Sequence, residues 1–159
     1  MSNRRFLVLA VAVAALAGCA TSPTPVSVTD TIAAQSQLST LNGLVTKSGL
    51  SDTLKSSGPY TVFAPTNEAF AKVPAKTMDE LAKNPARLKE VLAYHVVPGK
   101  VMAADVKNGN TKTVNGANVA LSKAGEFVTV EEALVQTADI SATNGVVHIV
   151  DAVLIPPAK

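Results

Sequence analysis

The periodicity of the apolar residues changes partway along the chain, and that change limits the possible architectures more than any single motif. In the first part, Leu38, Leu41, Leu44 and Val45, and later Leu88, Val91 and Leu92, recur at the spacing of one face of an α-helix. From residue 110 the texture becomes short apolar or alternating runs: "NTKTV", "ANVAL", "EFVTV", "ALVQTADI" and "GVVHIVDAVLI". Helices first and an antiparallel β region afterwards specify an α+β domain. Within the helical part, Tyr60 to Ala64 is a short β-rich run ended by Pro65.

Local punctuation refines this outline. Gly49 and Gly58 are expected to stop helices. Thr66 or Asn67 caps the helix after Pro65, with Glu68 at the positive end of its dipole. Thr77-Met78-Asp79-Glu80 has the form of a capping box, and Asn84-Pro85 pairs a cap residue with proline at the first helical position. The stripe through Leu88, Val91 and Leu92 reaches His95, which therefore points toward the core, and Pro98-Gly99 is expected to end that helix. Asn115-Gly116 predicts a two-residue hairpin with positive φ at both turn positions. Asn144-Gly145 is expected to turn the chain into a last strand that is apolar at both parities, with His148 among its valines.

The amino terminus reads as a targeting segment. Arg4 and Arg5 precede the apolar stretch "FLVLAVAVAALA", whose 12 residues fall well short of the roughly 20 needed to span a bilayer. Leu16-Ala17-Gly18-Cys19 then resembles a bacterial lipobox, so residues 1–18 are expected to be a lipoprotein signal peptide and Cys19 the site of lipid attachment. Ala20, rather than aspartate, after the cysteine points to the outer membrane. Residues 19–28 would form the lipidated cysteine and a proline-containing tether. Cys19 is the sole cysteine, so no intramolecular disulfide can form. Without Arg4 and Arg5, the 14 basic residues fall to 12 against 12 acidic ones, a balance that offers no basic surplus for nucleic acid.

Few side chains could support catalysis. His95 and His148 are the two histidines, 53 residues apart, and a zinc site would need three or four ligands. Neither a G-x-S-x-G elbow nor a glycine-rich phosphate loop occurs. Both histidines read as hydrogen-bonded core residues, and Asp79-Glu80 and Glu131-Glu132 as solvated surface. No metal, cofactor or enzymatic activity is expected.

"YTVFAPTNEAF" (60–70), "VLAYHVVPGKV" (91–101) and "ADISATNGVVHIVDAVLIPP" (138–157) together resemble the first conserved box, the Tyr-His motif and the second conserved box of the fasciclin domain family. "GLSDTLKSSG" (49–58) is similar to the segment before the first box. The resemblance covers residues 29–157 and implies a wedge-shaped β-sandwich flanked by N-terminal and central helices. It implies binding through Tyr94, His95, Asp139 and Ile140, with Asp139 at the surface, and a structural role for Thr66, Asn67, Asn144, Gly145 and His148. The expectation is a monomeric cell-envelope lipoprotein acting as an adhesion or interaction module, periplasmic or surface-exposed, anchored to a membrane and meeting a protein or polysaccharide. The alternative is a periplasmic protein that binds a small ligand or polysaccharide in a cleft.

Overall fold

The computed structural model describes residues 26–56 and 58–156. The signal peptide, Cys19 and most of the tether lie outside the described residues. Val26 to Val28, assigned to the tether from sequence, are built into the domain. The Val26 carbonyl accepts from Thr143 N–H at 2.9 Å, Ser27 caps the first helix, and Val28 is fully buried.

The helical part comprises α1 (Val28–Ala34), a 3₁₀ turn at Ser36–Leu38, α2 (Ser39–Ser48) and α3 (Leu50–Lys55). Gly49 separates α2 from α3 in the left-handed conformation, φ 70°, which glycine enters at little cost. Gly58 is not a helix stop, because α3 ends at Lys55 with Ser56 as its cap. Instead a Cβ at Gly58 would collide with the Asn144 carbonyl oxygen, so the position is reserved for close backbone approach.

Strand β1 (Tyr60–Pro65) leads into α4 (Asn67–Lys72), α5 (Ala75–Lys83) and α6 (Pro85–Tyr94). Thr66 is the α4 cap, its hydroxyl accepting from Ala69 N–H at 3.2 Å. Asn84 caps α6 through Arg87 N–H at 3.2 Å, with Pro85 following as expected. The Thr77 capping box does not form: α5 begins at Ala75, and the Pro74 carbonyl accepts from both Thr77 and Met78 N–H, which puts Thr77 inside the first turn. Helix α6 also ends earlier than Pro98-Gly99 implies. His95 is its cap, and β2 (Val96–Pro98) pairs antiparallel with β1 from Val62 to Tyr60. Cross-strand pairing of Val96 and Val97 thus prevails over continuation of the helical stripe.

Strands β3 (Gly109–Lys112), β4 (Asn118–Ala124), β5 (Phe127–Val130), β6 (Ala133–Ala142) and β7 (Gly145–Val150) complete the sheet. Its order is β2-β1-β7-β6-β5-β4-β3. All neighbours are antiparallel except β1 and β7, which run parallel from Tyr60↔Gly145 to Pro65↔Val150. The β3–β4 connection is longer than a two-residue turn. Thr113 accepts from Gly116 N–H at 2.9 Å and donates to the Ala117 carbonyl at 2.9 Å, and of the Asn115-Gly116 pair only Gly116 has positive φ (89°). That is a three-residue loop closed by a glycine bulge.

Strand β7 is buried along its whole length, and the side chains of β1 and β7 alternate between two cores. Val62, Ala64, Val147 and Ile149 face the helices and meet Ile32, Leu41, Leu88 and Leu92. Phe63 and Val150 face the other way, against Val119, Leu121, Val128 and Val130 of β4 and β5. The sheet therefore folds back on itself around the second core, with β6 shared by both halves and two register shifts between Val135 and Ile140. Val114 N–H donates to the Val96 carbonyl at 2.8 Å, which draws the two ends of the sheet together. The result is a barrel-like wedge flanked by helices, as the sequence leads one to expect.

Candidate functional site

Two of the residues singled out in the sequence join separate elements to one another. Asn67 does not cap its own helix. Its Oδ1 accepts from Thr40 N–H at 3.0 Å and its Nδ2 donates to the Ser36 carbonyl at 3.2 Å. Helix α2 has no side-chain cap of its own, so Asn67 supplies one from α4. Asn144 accepts from Val28 N–H at 2.8 Å and donates to the Leu54 carbonyl, tying the β6–β7 turn to α1 and α3. Gly145 has an ordinary φ. Its importance is steric, since a Cβ there would strike the Tyr60 carbonyl oxygen in the parallel β1–β7 pair.

Tyr94 and His95 are consecutive, each 2% exposed, and they bind different segments. His95 Nδ1 lies 2.8 Å from the Val91 carbonyl, and Nε2 is 3.0 Å from Leu154 N–H. A carbonyl can only accept and an N–H only donate, so the neutral ring protonated at Nδ1 satisfies both. Burial lowers the pKa of His95 to about 4, against the opposing pull of the Val91 carbonyl. His148 uses the other tautomer. Its Nε2 is 2.8 Å from the Val101 carbonyl, and Nδ1 accepts Asp139 N–H at 3.2 Å. Burial depresses its pKa too, opposed by the Val101 carbonyl and the Asp139 charge. The ring stacks on Phe63 with centroids 5.5 Å apart.

Asp139 is half-buried, not freely exposed as the sequence suggests. It sits at the irregular part of β6 with φ 60°, a conformation that aspartate tolerates better than most residues. Its Oδ1 accepts from Ala103 N–H at 2.8 Å, pinning the segment after β2. Ile140 turns inward and packs against the helix-side core. Tyr94, His95, Asp139 and Ile140 thus do not meet at one exposed surface.

Near the Tyr94 hydroxyl the structure opens. That oxygen lies 3.0 Å from both the Asn118 carbonyl and Glu131 Oε1. Glu131 Oε1 also accepts from Ala120 N–H at 3.0 Å, and Glu131 itself has φ 55°. Burial, and then Glu131, push the Tyr94 phenol up to about 12, so it remains a donor. Glu131 is exposed as expected, yet one of its carboxylate oxygens is fixed by two hydrogen bonds. Beside this corner lies a cleft of about 510 Å³, with Tyr94, Asn118, Glu131, Glu132 and Ala133 on one side and Ala152 to Ile155 on the other. Its walls come from four separate stretches of chain, which is why no local pattern in the sequence reveals it. Among the described residues, no three His, Cys, Asp or Glu side chains are grouped to hold a metal ion.

The sequence profile of the fasciclin domain matches residues 36–156. Protein sll1483 of Synechocystis is 39% identical over 140 residues, covering 87% of this chain and 78% of that protein. Immunogenic protein MPB70 of Mycobacterium bovis is 47% identical over 109 residues, 69% of this chain and 55% of its own length. Cell surface glycolipoprotein MPB83 of the same species is 34% identical over 145 residues, covering 91% of this chain and 65% of that protein. The chain thus spans little more than half the length of MPB70. Among solved structures, a FAS1 domain pair from the insect cell adhesion molecule fasciclin I superposes with a TM-score of 0.62 at 23% identity, covering 76% of this chain and 46% of that one. Motif order, wedge topology and these matches agree: the chain belongs to the fasciclin domain family.

Proposed function

We propose that this protein is an interaction module of the bacterial cell envelope, lipid-anchored through Cys19 and presenting a single fasciclin domain to a protein or polysaccharide partner. The observation that carries this reading is the similarity over 91% of the chain to a protein named as a cell surface glycolipoprotein. The lipobox-like Leu16-Ala17-Gly18-Cys19 supports it from the sequence. No helix among the described residues is long and apolar enough to cross a membrane. The buried histidines support binding over catalysis, because both ring nitrogens of each are engaged by backbone groups.

Cells carrying the wild type, a deletion of the gene, or Cys19→Ser provide the test. Labelled palmitate should enter the wild type and not Cys19→Ser, and adhesion to extracted envelope or matrix should fall in both altered strains. Adhesion that survives the deletion would overturn the reading. It would favour the alternative of a periplasmic small-ligand or polysaccharide-binding protein, for which the 510 Å³ cleft is the supporting observation.

A further inference from the structure

The cleft beside Tyr94 has a chemistry of its own. Its volume of about 510 Å³ lies in the range of ordinary ligand sites. Of the charged side chains lining it, Glu131 and Glu132 are both carboxylates, and no lysine or arginine is among the described lining residues. The corner is also rich in acceptors. The Tyr94 hydroxyl has one proton for two acceptors at 3.0 Å, the Asn118 carbonyl and Glu131 Oε1, and shares it between them. The Glu131 carboxylate is held in place by Tyr94 and Ala120, fixed before any ligand arrives. These groups call for an N–H donor carrying positive charge.

The opposite wall is apolar and made of backbone in no regular element. Ala152 to Ile155 follow β7 without joining a strand. Leu154 turns inward, 3% exposed with its N–H on His95, while Ile155 is 51% exposed. A segment outside any strand, with one apolar side chain turned out, leaves room for a peptide laid alongside it. Valine, alanine and isoleucine surfaces suit the methylene stem of a long basic side chain whose head reaches the carboxylates.

We propose that this cleft receives a basic side chain, lysine or arginine, from an extended peptide segment of the partner, with Glu131 and Glu132 as counter-charges. The proposal rests on the interaction-module reading and adds the chemistry of the partner to it.

The probe is a blocked five-residue peptide alternating valine and lysine, titrated calorimetrically into the full chain in detergent. Binding should weaken about tenfold when norleucine replaces lysine, and about tenfold in Glu132→Gln, an exposed position whose substitution leaves the fold intact. Glu80→Gln on α5, distant in sequence and also exposed, should bind as the wild type does. Equal binding of the norleucine peptide, or an unaltered affinity in Glu132→Gln, would overturn the proposal. So would spermidine displacing the peptide at equal concentration, since the site would then be one for free amines. Adhesion lost on gene deletion but retained by Glu132→Gln cells would reject the cleft and leave the broader reading standing.

Discussion

The two cores on opposite faces of β1 and β7 are closed by different chemistry. On the helix side, the polar ties are amides and hydroxyls: Asn67 to α2, Asn84 on α6, Asn144 to α1 and α3, and Thr66 on α4. On the barrel side and at the boundary between the cores, three aromatic rings that titrate join the ties made by the Thr61 hydroxyl and the Asp139 carboxylate. His95 holds the segment after β7, His148 holds β6 and the segment after β2, and Tyr94 holds β4 and the β5–β6 corner. Amide ties are indifferent to pH near neutrality, whereas a ring that accepts a backbone N–H cannot be protonated at that nitrogen without losing the bond. The comparison teaches that the ties lost in mild acid are concentrated in one half of the molecule.

The largest expected effect tests that asymmetry. An unfolded histidine titrates near 6.5, while His95 in the fold titrates at about 4. Between those values the unfolded chain binds more protons, so stability is full above pH 6.5, falls as pH drops toward 4, and has lost its share below that. One pKa unit is about 1.4 kcal/mol, so His95 alone should account for about 3 kcal/mol. His148 adds in the same direction. Asp30, in the exposed cap of α1, has a lowered pKa and acts only at more acid values. Urea unfolding at pH 7 and pH 4.5, beside hydrogen exchange, checks this: Leu154 and Asp139 amides should lose protection before those of α2. Simultaneous loss in both halves would break the comparison.

Asn144→Ala should come next. It removes partners from Val28 N–H and the Leu54 carbonyl, at about 2 kcal/mol. Because the lost ties are amides, the penalty should be the same at pH 7 and pH 5. A penalty that shrinks in acid would place Asn144 in the titrating half.

The smallest effect is at Asp139. Asp139→Ala forfeits the bond to Ala103 N–H and puts alanine at φ 60°, which should destabilise by about 1 kcal/mol. A free surface residue would move stability by less than about 0.5 kcal/mol. Thermal unfolding separates the two values.

What the sequence reveals about this fold is what its neighbours in the chain determine. The switch from helical to alternating periodicity, the Asn84-Pro85 start, the Thr66 cap and the Gly49 break all depend on residues within a turn of each other, and each is found where expected. The inward course of His95 follows from the α6 stripe. Asn67 and Asn144 are recognisable as turn residues, but their partners lie 27 and 116 positions away, so their actual function is invisible without the fold. The Thr77 box failed because a four-residue pattern is too short to fix a helix start, and here Pro74 sets it instead. Glu131 reads as half of a solvated pair, since nothing local announces that Tyr94, 37 positions earlier, will reach it. The candidate site is thus legible only as separate residues.

The parallel pairing of β1 with β7 has a consequence for how the polypeptide is made. Tyr60 finds its partner at Gly145, 85 residues later, and β7 also separates β1 from β6. A nascent chain can form its early helices as it emerges, but the central pair has no second member until Val150 has been synthesised. Contacts so distant along the chain close slowly, because loop entropy is spent before any of them is rewarded. The polypeptide should therefore stay open until β7 has been added, and a chain stopped short of β7 would be left with β1 lacking its parallel neighbour and neither core able to close.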